Sequence, residues 1–283
     1  MTSTLSPPNP ALLSLNAITT KSWTLGEAID GCARHGIRGI TVWRDRLQEM
    51  GVPAAVNALK ANGLAVTGLC RGGMFTAADA AGRKAAIEDN YRAIDEAQAI
   101  GASCLILVVG GLAPGSKDIA GAREQVSDGI AAMLAHARQA RMPLAIEPLH
   151  PMQAADRACI NTLGQALDFC DDLDPQKTGA LGVAVDVYHV WWDPQLEAQI
   201  ARAGKARLLA HHICDWLVPT RDLAFDRGMM GEGIIDLPRI RALMEGAGYR
   251  GYSEVEIFSG HNWWTRDPDD VLRIMKERYT ACC

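Results

Sequence analysis

Two patterns of apolar residues alternate along the chain, and their succession predicts the fold. Short runs rich in aliphatic and β-branched residues read as strands: LLSLNAI at 12–18, GITVW at 39–43, LAVTGLC at 64–70 and SCLILVVGG at 103–111. PLAIEPLHP from 143, LGVAVDVYHV from 181, ARLLAHHICDW from 206 and GYSEVEIFS from 251 continue the series. The segments between them carry apolar residues at three- and four-residue spacing, the period of a helix packed on one face. Thr24 is placed to cap a helix with Ala28, Ile29, Cys32 and Ala33 on one face, closed by Gly36. Pro53 opens the next helix, which stops at Gly63. Further helices are expected at 79–100, 121–141, 162–173, 194–203, 238–245 and 268–279. Eight strands in alternation with eight helices predict an α/β fold of the (β/α)8 TIM-barrel kind, one domain over 1–283 with a Pro-rich arm at 1–10. The rival, an open doubly wound sheet, commonly has a Gly-rich phosphate turn after its first strand, and LNAITTKSW has none. Gly72-Gly73 and Gly110-Gly111 read as tight strand-to-loop turns.

Polar residues interrupt these apolar strands at one level. Asp186 stands in the sixth run, where a buried carboxylate costs several kcal/mol unless a partner neutralises it. Glu147 ends the fifth run, His211 or His212 the seventh, and Glu254 and Glu256 the eighth. In a barrel the C-terminal strand ends converge on one mouth. Acidic and imidazole groups from four successive strands would repel one another there without a cation. Oxygen-rich ligation with one imidazole suits manganese, magnesium or cobalt better than a thiolate-type zinc site. Strand alternation places His211 and His212 on opposite faces without choosing between them, and favours Glu256 over Glu254 only by its later position. Residues beside the same strand ends are candidate substrate contacts: His189, His150, Arg71, Arg221 and Arg227, with Asp226 and Glu232 nearby. Trp191, Trp192 and Trp43 are candidates for an apolar wall over a sugar ring.

Composition narrows the partners. Lys and Arg number 28 and Asp and Glu 33, a net charge of −5, with no run of like charge. That argues against nucleic acid as a partner. No apolar run is long enough for a membrane span and the N-terminus lacks signal-peptide features, so a cytoplasmic location is expected. The eight cysteines are scattered, apart from Cys282 and Cys283, and form no Cys-x-x-Cys pair. They read as reduced thiols, the last two on a frayed tail.

IEPLHP, VDVYHV, HHICD and GEGIIDLPRIRALMEGAGYRGYSEVEIFS resemble the sugar isomerase and epimerase family of xylose isomerase-like barrels, which includes ketose 3-epimerases, hydroxypyruvate isomerase and inosose dehydratases. The resemblance implies one divalent ion, manganese first and magnesium or cobalt after it, held by Glu147, Asp186, His212 and Glu256. His212 is implied over His211 by the family's His-x-x-Asp pattern, met here by His212 and Asp215. Glu147 and Glu256 would also be the catalytic acid and base, and His189 would contact a substrate oxygen. The implied activity is isomerisation or epimerisation of a ketose or keto-sugar through an enediolate. The alternative is a lyase, dehydratase or decarboxylase acting on an oxo-sugar or sugar acid. The implied partner is a small sugar, and a homo-oligomer is expected. The chain departs from the epimerases at Gln153, where they often carry Glu, and at Val218, where they often carry Arg. The endonuclease branch of the fold needs more zinc-binding histidines and a basic face, and three of the seven histidines here, His35, His136 and His261, fall outside the mouth.

Overall fold

Alternate residues of the apolar strands face two different environments, and that alternation builds a closed barrel. The computed structural model describes residues 6–283. Its barrel strands are β1 (Leu13–Asn16), β2 (Gly39–Trp43), β3 (Ala65–Gly73), β4 (Leu105–Val108), β5 (Leu144–Ile146), β6 (Leu181–Asp186) and β7 (Leu208–Ile213). After a short antiparallel pair, β8 (Asp215–Trp216) and β9 (Arg227–Gly228), comes the last barrel strand, β10 (Ser253–Val255). All barrel neighbours are parallel, in the order β1-β10-β7-β6-β5-β4-β3-β2, with β2 closing on β1. Outward residues such as Leu105, Leu107, Leu144, Ile146, Val183 and Val185 belong to the large core beneath the helices. Inward ones, Cys70, Cys104, Ile106, Ala145, Ala184 and Ala210, form a second, smaller cluster. Their small size leaves room in the barrel for the polar groups above them.

The helices are α1 (Leu25–His35), α2 (Arg44–Met50), α3 (Val52–Ala61), α4 (Ala80–Ala99), α5 (Ile119–Ala140), α6 (Leu163–Leu173), α7 (Val187–Val190), α8 (Leu196–Arg207), α9 (Leu237–Gly246) and α10 (Pro268–Cys282). Thr24 caps α1 in a reciprocal capping box with Glu27. Asp79, Asp118, Thr162, Asp236 and Asp267 cap α4, α5, α6, α9 and α10 by accepting from backbone N–H groups of the first turn.

Several sequence expectations change. Val187–Val190 is not strand: the Asp186 carboxylate accepts from the Tyr188 N–H at 2.8 Å and starts the one-turn helix α7 there. Helix α2, directly after β2, was not anticipated, and Asp215 and Trp216 leave β7 to pair with β9. Ala33 is exposed while Ala28, Ile29 and Cys32 are buried. Of the expected arm, residues 1–5 lie outside the described residues. Residues 6–10 are held on the barrel: Pro8 is buried, Arg241 donates to the Ser6 carbonyl and Tyr279 to that of Asn9. The C-terminus is not frayed either, because α10 runs to Cys282 and Cys283 is buried. All eight cysteines are free thiols. No helix among the described residues is long and apolar enough to cross a membrane.

One buried ion pair fastens α8 to the base of β6. Arg207 and Asp174 are almost wholly buried, 2.8 Å apart, and the guanidinium also donates to the carbonyls of Leu181 and Cys170. Arg207→Ala removes one partner and the donors to both carbonyls, while Asp174 keeps Arg138 and Thr178, so a cost of about 1–3 kcal/mol is expected. Urea denaturation measures this, and a loss below about 1 kcal/mol would place the pair among the weak ones.

Candidate metal centre

The inward positions just beyond the small-residue layer carry the polar cluster. Asp186 follows Ala184 on β6 by two residues, His212 follows Ala210 on β7, and Glu147 follows Ala145 just past β5. The shared period sends all three side chains into the barrel. Glu256, one residue past β10, arrives from the eighth strand. Glu147, Asp186, His212 and Glu256 are buried, and each offers one ligand atom, all within 4.8 Å of one another. Ligands about 2.1 Å from a common ion lie up to roughly 4.2 Å apart, so the cluster is close to coordination size. His211 points the other way, towards Ser253 and the Tyr249 ring.

The candidate ligand atoms crowd one another. His212 Nδ1 is 2.9 Å from Glu147 Oε1 and 3.8 Å from Glu256 Oε2. Even so, neither that Glu147 oxygen nor either ring nitrogen of His212 has an aligned hydrogen-bond partner among the described residues. Buried polar atoms left so are costly, and a cation between them removes the cost. Three carboxylates with one imidazole therefore fit a divalent ion. Burial works against a charged His212, but Glu254, Glu147 and Glu256 outweigh it and hold its pKa well above the usual range. Burial likewise pushes the Glu256 carboxyl well up, against the pull of Arg227 and His212.

A layer of small polar residues from the first strands supports this cluster, and sequence reasoning missed it. Asn16, at the end of β1, donates to Glu254 at 2.7 Å and to Glu256 at 3.0 Å, and accepts from the Trp43 indole at 2.7 Å. Thr41 and Thr67 both donate to Glu254, which lies one layer deeper than Glu256. The signal was present as single polar residues at inward positions of apolar strands, Asn16 in LLSLNAI, Thr41 in GITVW and Thr67 in LAVTGLC.

Arg227 is the most central of the expected substrate contacts. Its guanidinium donates to Asp186 at 2.8 Å and Glu256 at 3.1 Å, between the rings of Tyr188 and Phe258. Burial would raise the Asp186 pKa, but Arg227, with His189 and His212, overrides it and holds the group ionised. The β8–β9 hairpin that carries Arg227 is braced by Asp215, whose carboxylate accepts from the N–H groups of Gly231, Gly233 and Ile235. This is the structural role of the GEGIID turn. His189, on α7, is buried, and burial lowers its pKa to about 3, so it is neutral. Its Nδ1 faces the His150 backbone N–H at 3.1 Å, and its Nε2 lies 3.1 Å from an Arg227 guanidinium nitrogen and 3.5 Å from Asp186. Arg71, Trp43 and Gln153 also line the mouth.

His150, Trp191 and Arg221, expected beside the substrate, are not part of that lining. The His150 ring stacks on Trp216, 5.0 Å between centroids, and Trp191 packs on the same indole. Arg221 is turned outwards and locked in a two-pronged pair with the buried Asp226 carboxylate. Glu232 is taken up by the Met229 N–H and the Trp263 indole, and Val218 is exposed.

A family model described as a xylose isomerase-like TIM barrel matches residues 29–278. The chain belongs to this family. Among solved structures, protein SMc04130 from Sinorhizobium meliloti 1021 is 58% identical, with 97% of this chain and 99% of that one covered and a TM-score of 0.94. The IolI protein with a bound zinc atom is 17% identical, with 95% and 97% covered and a TM-score of 0.81. The 3-keto-D-glucoside 4-epimerase YcjR from E. coli is 18% identical, with 96% and 99% covered and a TM-score of 0.74. The last two likenesses are of fold. Among curated proteins none matches the sequence.

Proposed function

We propose that this barrel is a divalent-metal-dependent isomerase or epimerase of a ketose or keto-sugar. The observation that carries the reading is the buried set of Glu147, Asp186, His212 and Glu256, with ligand atoms within 4.8 Å and with Glu147 Oε1 and both His212 ring nitrogens lacking an aligned hydrogen-bond partner among the described residues. A divalent ion bound there supplies Lewis-acid polarisation of a substrate carbonyl. Manganese suits the donor set, with magnesium or cobalt as substitutes; the IolI neighbour holds zinc.

The remaining steps belong to the protein's own groups. Glu147 and Glu256 sit at the two ends of the arc β5-β6-β7-β10, so they flank whatever lies between them. One removes the proton from the carbon beside the carbonyl and the other returns one, each as an ionised carboxylate or its conjugate acid. Return to the opposite face of the same carbon gives an epimer; return to the neighbouring carbon gives an isomer. His189, which lines the mouth with its Nε2 beside Arg227 and Asp186, contacts a substrate oxygen. Arg227 holds Asp186 and Glu256 in place, and Trp43, edge-on to Phe258 with centroids 5.8 Å apart, forms an apolar wall. The partner is thus a small sugar, and the enzyme is assigned to carbohydrate metabolism in the cytoplasm.

The test is NMR in deuterated water, with manganese-loaded protein and a panel of ketoses, keto-sugars and sugar acids. Deuterium entering one carbon with no fragment lost is expected. Release of water or carbon dioxide would move the assignment to the lyase alternative. No exchange with manganese, magnesium, cobalt or zinc would overturn both.

A further inference from the structure

We propose that the substrate of this site carries an anionic group, a carboxylate or a phosphate, and that Arg71 and Arg157 hold it on the β4 side of the mouth. The inference rests on the metal-centred reading for where the reacting carbons lie, and adds the charge of the rest of the molecule. Three guanidinium groups line the mouth, those of Arg71, Arg157 and Arg227. Arg227 is already committed to Asp186 and Glu256. Among the described residues, neither Arg71 nor Arg157 forms an ion pair or a side-chain hydrogen bond with an acidic residue. Two uncommitted cations therefore share one concave site in a chain whose net charge is −5.

Their position is built into the backbone. Arg71 lies on β3 directly before Gly72 and Gly73. Gly73 has φ +101, and a Cβ there would come within 2.1 Å of the Val108 carbonyl oxygen on β4. Arg157 lies on the loop between β5 and α6, and its carbonyl accepts from the Gly110 N–H at 2.9 Å. The Cys159 N–H returns a bond of 2.9 Å to the Gly110 carbonyl. A Cβ on Gly111 would meet the Ala155 carbonyl at 2.2 Å. The two glycine pairs thus let the segments carrying Arg71 and Arg157 settle onto the end of β4 from opposite sides. Arg157 is exposed and Arg71 half-buried, but the backbone of each is pinned, and the planar fork of a guanidinium matches carboxylate or phosphate oxygens.

Electrostatics point the same way. Burial lowers the pKa of Arg157, and the guanidiniums of Arg71 and Arg227 lower it further. Like charges held close store repulsion, which an anion placed between them relieves. A neutral sugar offers no such compensation. Gln153 adds an uncharged side chain to the lining, and the acidic residues there, Glu147 and Glu256, belong to the candidate metal cluster.

Calorimetric titration with three unreactive four-carbon polyols tests the proposal: erythritol, erythronate and erythritol 4-phosphate. They share a backbone and differ in charge. Each is titrated with and without manganese, so that charge recognition is read separately from metal binding. At least one anion is expected to bind about tenfold or more tightly than erythritol. That preference should shrink to about threefold or less in Arg71→Met and in Arg157→Met, with manganese affinity and melting temperature kept. The favoured anion distinguishes carboxylate from phosphate. No preference for either anion would overturn the proposal. So would a preference that survives in both variants, because the charge would then be read elsewhere. Failure of the underlying metal reading shows separately, as absence of manganese uptake by the unaltered protein.

Discussion

Manganese binding is expected to fall by at least about 100-fold when Asp186→Asn and His212→Ala are combined. Each removes one inward ligand, from β6 and β7, and the remaining Glu147 and Glu256 lie at opposite ends of the arc. Asn is chosen at Asp186 because alanine would leave a void and leave the buried Arg227 with Glu256 alone, and the lost packing would confuse metal loss with unfolding. Asn keeps one carbonyl acceptor for either Arg227 or the Tyr188 N–H, which bond separate oxygens of Asp186. Electron paramagnetic resonance of free and bound manganese reads the affinity directly, with thermal denaturation as the control for folding. Affinity within about threefold of the unaltered protein would remove the proposed site. The pH dependence has a definite sign. His212 is held well above its usual pKa, so it is protonated in the metal-free protein at neutral pH, and ligation needs the neutral ring. Binding must displace that proton, and affinity should rise with pH, by about tenfold per unit while His212 alone is displaced.

Glu256→Gln is expected to slow deuterium exchange into substrate by about 1,000-fold, the middle of the range for loss of a positioned general acid or base. Glutamine is nearly isosteric, and its one carbonyl oxygen can still accept from either Asn16 or Arg227, which bond separate oxygens of Glu256 at 3.0 and 3.1 Å. It cannot take up a proton. Manganese affinity should weaken less than the exchange rate, and saturating metal should not restore exchange. Glu147→Gln should behave alike, since proton removal and return need both. A variant that exchanges normally at saturating manganese would leave Glu256 a ligand only. Substrate binding without turnover in both the unaltered protein and the variant would instead indicate a binding protein on a barrel scaffold.

The barrel was legible because its signal is local. A continuous apolar strand covered on both faces, a capped helix with one apolar face, and the strict succession of the two can each be read from a dozen residues. Where the expectation failed, a side chain had changed the local preference: VDVYHV reads as strand throughout, yet the Asp186 carboxylate bonds the Tyr188 N–H and turns the chain into α7. The candidate ligand positions stand out for a similar reason, since Asp186, Glu147 and Glu256 break apolar runs at a cost that needs explaining. Periodicity could not choose between His211 and His212. The inward parity of Ala210 and His212 decides it, and parity needs the barrel's inside to be known.

The expected substrate contacts divide along another line. His189, Arg71 and Arg227 reach the mouth, whereas His150, Trp191 and Arg221 find partners elsewhere, in the Trp216 indole and the Asp226 carboxylate. All six lie within a few residues of a strand end or on a following loop, so sequence position alone treats them alike. Which loop residue turns inward depends on contacts between segments far apart in the chain. Asn16 meets Glu254 across 238 residues, and Arg157 is placed by a bond to Gly110. By itself the sequence determined the alternation of elements, the barrel it implies and the strand ends that carry charge, because these follow from period and burial cost. Only the tertiary structure decided that four of those charges share one point, that Asn16 and Arg227 brace them, and that two arginines remain uncommitted beside them, because convergence and pairing are properties of closure.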